Sequence, residues 1–231
     1  MSALMCPDRH NVVSHFDRIA PVYDHLNSII SWRRDKRWRS DLARWMNPRS
    51  GQIFLDISAG TGDMENALKA ICPRVEVIGI DPSIPMLELY RKKVNSAKLT
   101  KGVAESLPLQ SESVDGVICT FGIRNFQDRL LGFKEIHRVL KPGSFWGFLE
   151  MSTPHGFIFP HVYSLYFKRI VPLIGRALSS DPHAYQYLRD SVYQFPGLDE
   201  LEEENARAGF TMKDYRLILR GAVILAIFQK E

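Results

Sequence analysis

The stretch Ile53-Phe-Leu-Asp-Ile-Ser-Ala-Gly-Thr-Gly-Asp63 decides the fold. Its first five residues have the length and apolar character of a buried strand, and its end runs through two glycines into a helix. Such a junction brings free helix N–H groups and bare backbone to one point, so Gly60 and Gly62 let a ligand approach without meeting a Cβ. The spacing narrows the ligand. A dinucleotide fingerprint reads G-x-G-x-x-G, but the residue three beyond Gly62 is Glu65, an acid that suits a cofactor without a pyrophosphate.

Outward from this junction the pattern alternates. Short β-rich runs at Ile53–Ile57, Val75–Ile80, Ala97–Val103, Val114–Thr120 and Ser144–Met151 are separated by helical stretches near 63–72, 84–95 and 128–140. This predicts an α/β fold, a parallel sheet with crossover helices on both faces. A helix over 197–208 precedes two more strands, Phe210–Leu217 and Ala222–Phe228. Their connection is too short for a helix, which predicts an antiparallel hairpin. Residues 11–46 read as helical, with Trp32, Trp38 and Trp45 set among six arginines and lysines. Residues 155–178 are aromatic and apolar, punctuated by Pro160, Pro172 and Gly175.

A chain of 231 residues with 45% hydrophobic content supports one packed domain, residues 1–231. Within it, 1–50 form an N-terminal helical segment and 155–190 an inserted helical cap. Thirty basic against 26 acidic residues give a net charge of +4. That mild excess is compatible with an anionic membrane, nucleic acid or an acidic ligand, and equally with an ordinary solvated surface. Cys6, Cys72 and Cys119 form no CxxC pair and read as free thiols. The N-terminus has no signal-like apolar core and no apolar run reaches membrane-spanning length, so a cytoplasmic location is expected. His155, His161 and His183 lack ligand spacing, and no metal is expected.

Asp81 ends the second strand about 20 residues beyond the glycine loop, where an acid can accept both ribose hydroxyls of an adenosine. Its other reading is a cap for the helix that follows. Gly102-Val-Ala-Glu-Ser-Leu-Pro108 follows the third strand, where Ala104 offers a backbone N–H to an adenine. At the fourth strand, Thr120-Phe-Gly-Ile-Arg-Asn125 enters the crevice that doubly wound sheets open at the carboxyl ends of their strands. Cys119, just before it, reads as a core thiol. Arg124 can stabilise an oxyanion and Asn125 can orient a carbonyl or hydroxyl. The plainer reading pairs Arg124 with Asp128 and makes Asn125 a helix cap.

Several blocks then converge: Phe16-Asp-Arg-Ile-Ala-Pro-Val-Tyr-Asp24 with Asn27, the glycine loop, Ala104–Pro108, Phe121-Gly-Ile-Arg-Asn125, Arg138–Gly143 and Leu149–Pro154. Tyr187, Leu188, Ser191, Phe195-Pro196 and Ala208–Phe210 continue the series. From about Phe16 to Lys230 the chain resembles the C-methyltransferases of menaquinone and ubiquinone biosynthesis. The resemblance implies a Rossmann-like class I methyltransferase with a seven-stranded, mostly parallel sheet and an antiparallel C-terminal pair. It implies S-adenosylmethionine as cofactor, with Thr61, Asp81, Val103, Ala104 and Thr120 at its contact positions. Tyr23, Arg124 and Asn125 fall on the substrate side, with Tyr23 assigned to proton handling. The implied substrate is a prenylated hydroquinone whose ring carbon attacks the cofactor's methyl.

The departures are Arg33 for a glycine, Asp35 for a histidine, Ala226 for a histidine and Ala59 for the second glycine of the loop; Val103 stands where related enzymes place an acid. The aromatic run 157–167 with Lys168 and Arg169 suits a prenyl channel touching the bilayer, or a plain core cap. Segment 31–45 suits anionic lipid, or a simple amphipathic helix. A methyltransferase of another phenol or sterol, and a non-catalytic subunit of the same fold, stay as rival readings. Nucleic acid is not an expected partner, and a homo-oligomer is left open.

Overall fold

The computed structural model describes residues 9–156, 159–165, 169 and 182–231. Its strands are β1 (Ile53–Ile57), β2 (Glu76–Asp81), β3 (Lys98–Lys101), β4 (Val114–Thr120), β5 (Leu140–Met151), β6 (Phe210–Ile218) and β7 (Val223–Lys230). Among the described residues they form one sheet in the order β3-β2-β1-β4-β5-β7-β6. The first five are parallel, and β7 lies antiparallel between β5 and β6. The chain order reverses between β1 and β4, which opens a crevice at their carboxyl ends.

Side-chain alternation divides the core between the two faces. Leu55, Ile57, Val117, Cys119, Trp146 and Phe148 point to one face. They meet Phe133, Ile136 and Val139 of α6 (Arg129–Val139) and Leu201 of α9 (Leu198–Arg207) there. Phe54, Ile118 and Leu149 point to the other, against Trp38 and Leu42 of α3 (Arg34–Met46) and Met64 and Leu68 of α4 (Asp63–Ile71). The buried Trp146 indole donates to Asn205 at 3.0 Å, so its one polar atom is satisfied. Cys119 is wholly buried, and burial pushes its thiol well above the ordinary range, as a core thiol requires.

The helical segment expected over 11–46 is three helices: α1 (Arg9–Ile19), α2 (Tyr23–Ile30) and α3. Pro21, which has no N–H, sits in a 3₁₀ turn between the first two. Trp32 and Arg33 both adopt left-handed backbone between the second and third. Helix α5 (Ile84–Lys93) follows β2. β3 is shorter than expected and lies at the exposed sheet edge, while β5 starts four residues earlier than expected. The expected cap over 155–190 falls largely outside the described residues. Described within it are α7 (Phe159–Leu165) and the start of α8 (Pro182–Gln194).

Candidate active site

The loop after β1 is held in shape from below. Gly60 and Gly62 have φ of +54° and +87°, and a Cβ on Gly62 would come within 2.4 Å of the Tyr90 ring. The Tyr90 hydroxyl donates to Glu65 at 2.6 Å, and Lys69 pairs with the same carboxylate at 2.5 Å. Glu65 is therefore a buried prop for the loop and lines none of the cavities described below. Asp56 is buried beside it with neither oxygen partnered by protein. Burial pushes that carboxyl well above the usual range.

Above the loop lies a cavity of about 710 Å³, partly open to solvent, lined by Gly60, Asp81, Met86, Val103, Ala104 and Asn125 among others. Asp81 accepts from the backbone N–H of Gly60 at 2.9 Å and of Ser83 at 2.8 Å. Burial raises its carboxyl to about 6, against the pull of those two donors. The cap of α5 is Ser83, which accepts from Met86 N–H, so the helix-cap reading of Asp81 does not hold. Helix α1 closes the cavity from outside: Ser83 donates its hydroxyl to Asp17 at 2.5 Å, and Arg9 pairs with Glu105 at 3.1 Å.

Thr61, Gly62 and Thr120 do not line this cavity. The Thr61 hydroxyl donates to Asp24 at 2.5 Å and accepts from Lys93 at 2.8 Å. Lys93 also pairs with Asp24 and Asp63, which cross-links α2 to α4 and α5. Thr120 is buried at the end of β4.

Phe121 divides the first cavity from a second of about 1130 Å³. Trp32, Trp38, Arg124, Met151 and Tyr163 line this larger, mainly apolar space. A smaller one of about 490 Å³, lined by Phe16, Tyr23, Leu26, Tyr187 and Leu188, also borders Arg124. Tyr23 and Phe16 belong to the first and the smallest cavity alike. In the 3₁₀ turn Ile123–Asn125, neighbouring residues thus face different spaces: Asn125 the first, Arg124 the other two.

Arg124 is almost fully buried, and its guanidinium pairs with Glu150 of β5. Glu150 also accepts from the backbone N–H of Arg124 at 3.3 Å and of Met151 at 2.8 Å. Burial works against the Arg124 charge, but Glu150 with Tyr23 and Tyr187 outweighs it and raises the pKa. The Arg124 Nε is buried without a partner. Asn125 accepts the Tyr187 hydroxyl at 2.7 Å through its amide oxygen. Burial pushes that phenol up to about 12. Asp128, not Asn125, caps α6, and Arg124 does not pair with Asp128. Burial likewise raises Tyr23, opposed by Asn27, Arg39 and Arg124.

Asp35, the residue in place of a histidine, accepts from Ser31 and Arg39, both at 2.7 Å, and Arg39 lies over the Phe121 ring at 5.1 Å. Ala226 is buried in β7 and lines none of the three cavities, so its change bears on the core, not the site. Sequence reasoning missed Glu150, Arg39, Met86 and the closing role of α1. A lone carboxylate in the apolar run Phe145–Leu149 to Glu150 is the one signal that demanded a cationic partner.

Compared with known proteins, residues 5–230 match the model of the ubiE/COQ5 methyltransferase family. The demethylmenaquinone methyltransferases of Staphylococcus aureus strains JH9 and Newman are each 40% identical over 220 residues, 94% of this chain and 91% of theirs. A SAM-dependent methyltransferase of Thermotoga maritima matches with a TM-score of 0.70 at 20% identity, over 95% of this chain and 100% of that one. A Haemonchus contortus N-methyltransferase solved with S-adenosylhomocysteine matches with a TM-score of 0.58 at 21% identity, over 78% of this chain and 39% of that one. The structural likenesses establish the fold.

Proposed function

The chain belongs to the ubiE/COQ5 methyltransferase family, and we propose that it methylates a ring carbon of a prenylated hydroquinone, a demethylmenaquinol before a ubiquinone precursor. The observation that carries this reading is the division at Phe121, with Asn125 facing one cavity and Arg124 a large apolar one.

The first cavity fits S-adenosylmethionine. The Asp81 carboxylate has acceptor capacity beyond its two backbone donors, which suits a ribose diol. Val103, Ala104 and Met86 give an apolar slot for adenine. When bound, this cofactor supplies a methyl group already activated by a sulfonium.

The chain's own residues align the ring and hold its oxygen. Arg124 is neutralised by Glu150, so it stabilises a phenolate-like oxygen through N–H donors, its orphan Nε among them, rather than through net charge. Asn125, fixed by Tyr187, retains its amide N–H₂ for orienting the ring. Tyr23 borders both the cofactor cavity and the smaller cavity beside Arg124, so it takes the proton-handling part, passing the proton that ring methylation releases to water. The second cavity takes the prenyl tail, and the protein is cytoplasmic with a peripheral membrane contact. Residues 1–231 act as one domain.

The test is transfer of labelled methyl from S-adenosylmethionine to reduced demethylmenaquinone by the purified protein. Methylation at the ring carbon is expected; methylation on oxygen, or none, sinks the reading. Arg124→Lys keeps the charge beside Glu150 but loses the fork. It should lower kcat about 100-fold with cofactor affinity unchanged. Loss of cofactor binding instead would overturn the assignment of Arg124.

A further inference from the structure

Two turns at the mouth of the second cavity share an unusual design. Trp32-Arg33 joins α2 to α3, with φ of 55° and 60°. Leu219-Arg220 joins β6 to β7, with φ of 51° and 57°. Each is an apolar residue followed by an arginine, and all four hold a left-handed backbone that glycine or asparagine adopts at far lower cost. Strain of this kind persists where side chains serve a purpose the backbone does not need.

Both turns are pinned. Arg33 N–H donates to Ser28 C=O at 2.6 Å, and His155 N–H donates to Arg220 C=O at 2.7 Å. Trp32 and Leu219 line the cavity and are also 75% and 37% exposed, which puts them on its rim. Arg33, Arg34 and Arg220, within or next to these turns, are exposed, and Lys36 and Arg37 are exposed further along α3. The acid inside this basic run, Asp35, is buried and paired with Arg39. An aromatic and an aliphatic tip ringed by exposed cations is complementary to an anionic bilayer surface.

We propose that these two turns seat the protein on an anionic bilayer, with Trp32 and Leu219 in the headgroup layer and the arginines on phosphates. The second cavity then opens directly onto the membrane. The inference rests on the reading that this cavity takes a prenyl chain, and it adds the route by which the chain enters.

The test is flotation of the full chain with phosphatidylcholine vesicles, with and without phosphatidylglycerol. Arg33→Asn/Arg220→Asn removes two charges while placing asparagine where left-handed backbone is tolerated. Affinity for the phosphatidylglycerol vesicles should fall about thirtyfold, from the usual contribution of two basic side chains at such a surface. The melting temperature should hold or rise, because strain is relieved. Trp32 fluorescence should shift to the blue on anionic vesicles in the parent protein and not in Trp32→Phe.

Undiminished binding by the double variant overturns the proposal. So does a parent protein that ignores anionic vesicles, or one that forms a lipid-free dimer which the double variant dissolves, since that makes a second copy the occupant. Methyl transfer to detergent-dispersed demethylmenaquinol reads the proposed function separately. Its failure sinks that reading and leaves the vesicle result standing.

Discussion

The first and second cavities meet at Phe121 but are made differently. The floor of the proposed cofactor side is built from nearly consecutive chain, β1 with its glycine loop and the ends of β2 and β3, and α1 and the loop after β4 complete it. The substrate side is assembled from α2, α3, β5, α7, α8 and the β6–β7 turn, and buried ion pairs hold it. Backbone shape dominates in the first case and long-range charge pairing in the second. The difference predicts which changes each side tolerates.

The largest expected effect is on the charged side. Glu150→Ala leaves Arg124 buried without its partner and should cost about 4 kcal/mol of stability. Chemical denaturation reads the loss, and turnover should vanish with it. A cost near zero would mean that the pair does not hold the substrate side.

On the backbone side, Gly62→Ala places a methyl against Tyr90 at a left-handed position. It should cost about 3 kcal/mol and weaken cofactor binding. Tyr90→Leu in the same chain should recover part of that loss. An unaltered cofactor titration in the single variant would break the claim that loop shape governs this side.

The third effect is on pH. With the Asp81 carboxyl raised to about 6, the free protein holds a proton there that the unfolded chain would release. The group's contribution to stability is therefore lost as pH rises from the ordinary carboxylate range through 6. Cofactor affinity runs the other way, because the ionised form accepts the diol. Calorimetry should show it falling about fivefold between pH 6 and pH 5; a flat profile would remove Asp81 from the cofactor.

The smallest effect sharpens the comparison at its seam. Thr61→Val breaks the tie to Asp24 and Lys93 while leaving the cavity wall intact. It should cost about 1 kcal/mol and quicken cofactor release more than it lowers turnover.

Legibility followed the same divide. β1, its loop and α4 could be read because every feature lies within 19 consecutive residues, and the closing hairpin because its connection is too short for a helix. Asp81 was readable from spacing alone. Glu150 lies 26 residues from Arg124, on the neighbouring strand, and only sheet register brings them together. The propping role of Glu65 was hidden because Tyr90, its partner, lies 25 residues away. The breaks that divide residues 11–46 were hidden for opposite reasons. Pro21 is visible but tolerated near a helix start, whereas Trp32 and Arg33 give no turn signal at all.

Helix α1 reaches across the cofactor cavity through Asp17 and Arg9, and α2 is tied down behind it through Asp24. On the proposed reading these contacts oppose release of a spent cofactor. The enzyme's clock is then set partly by Arg9, Asp17 and Asp24, none of which lines the cavities that Arg124 borders. Raised ionic strength, which loosens surface pairs such as Arg9 with Glu105, should shorten the residence time of the cofactor.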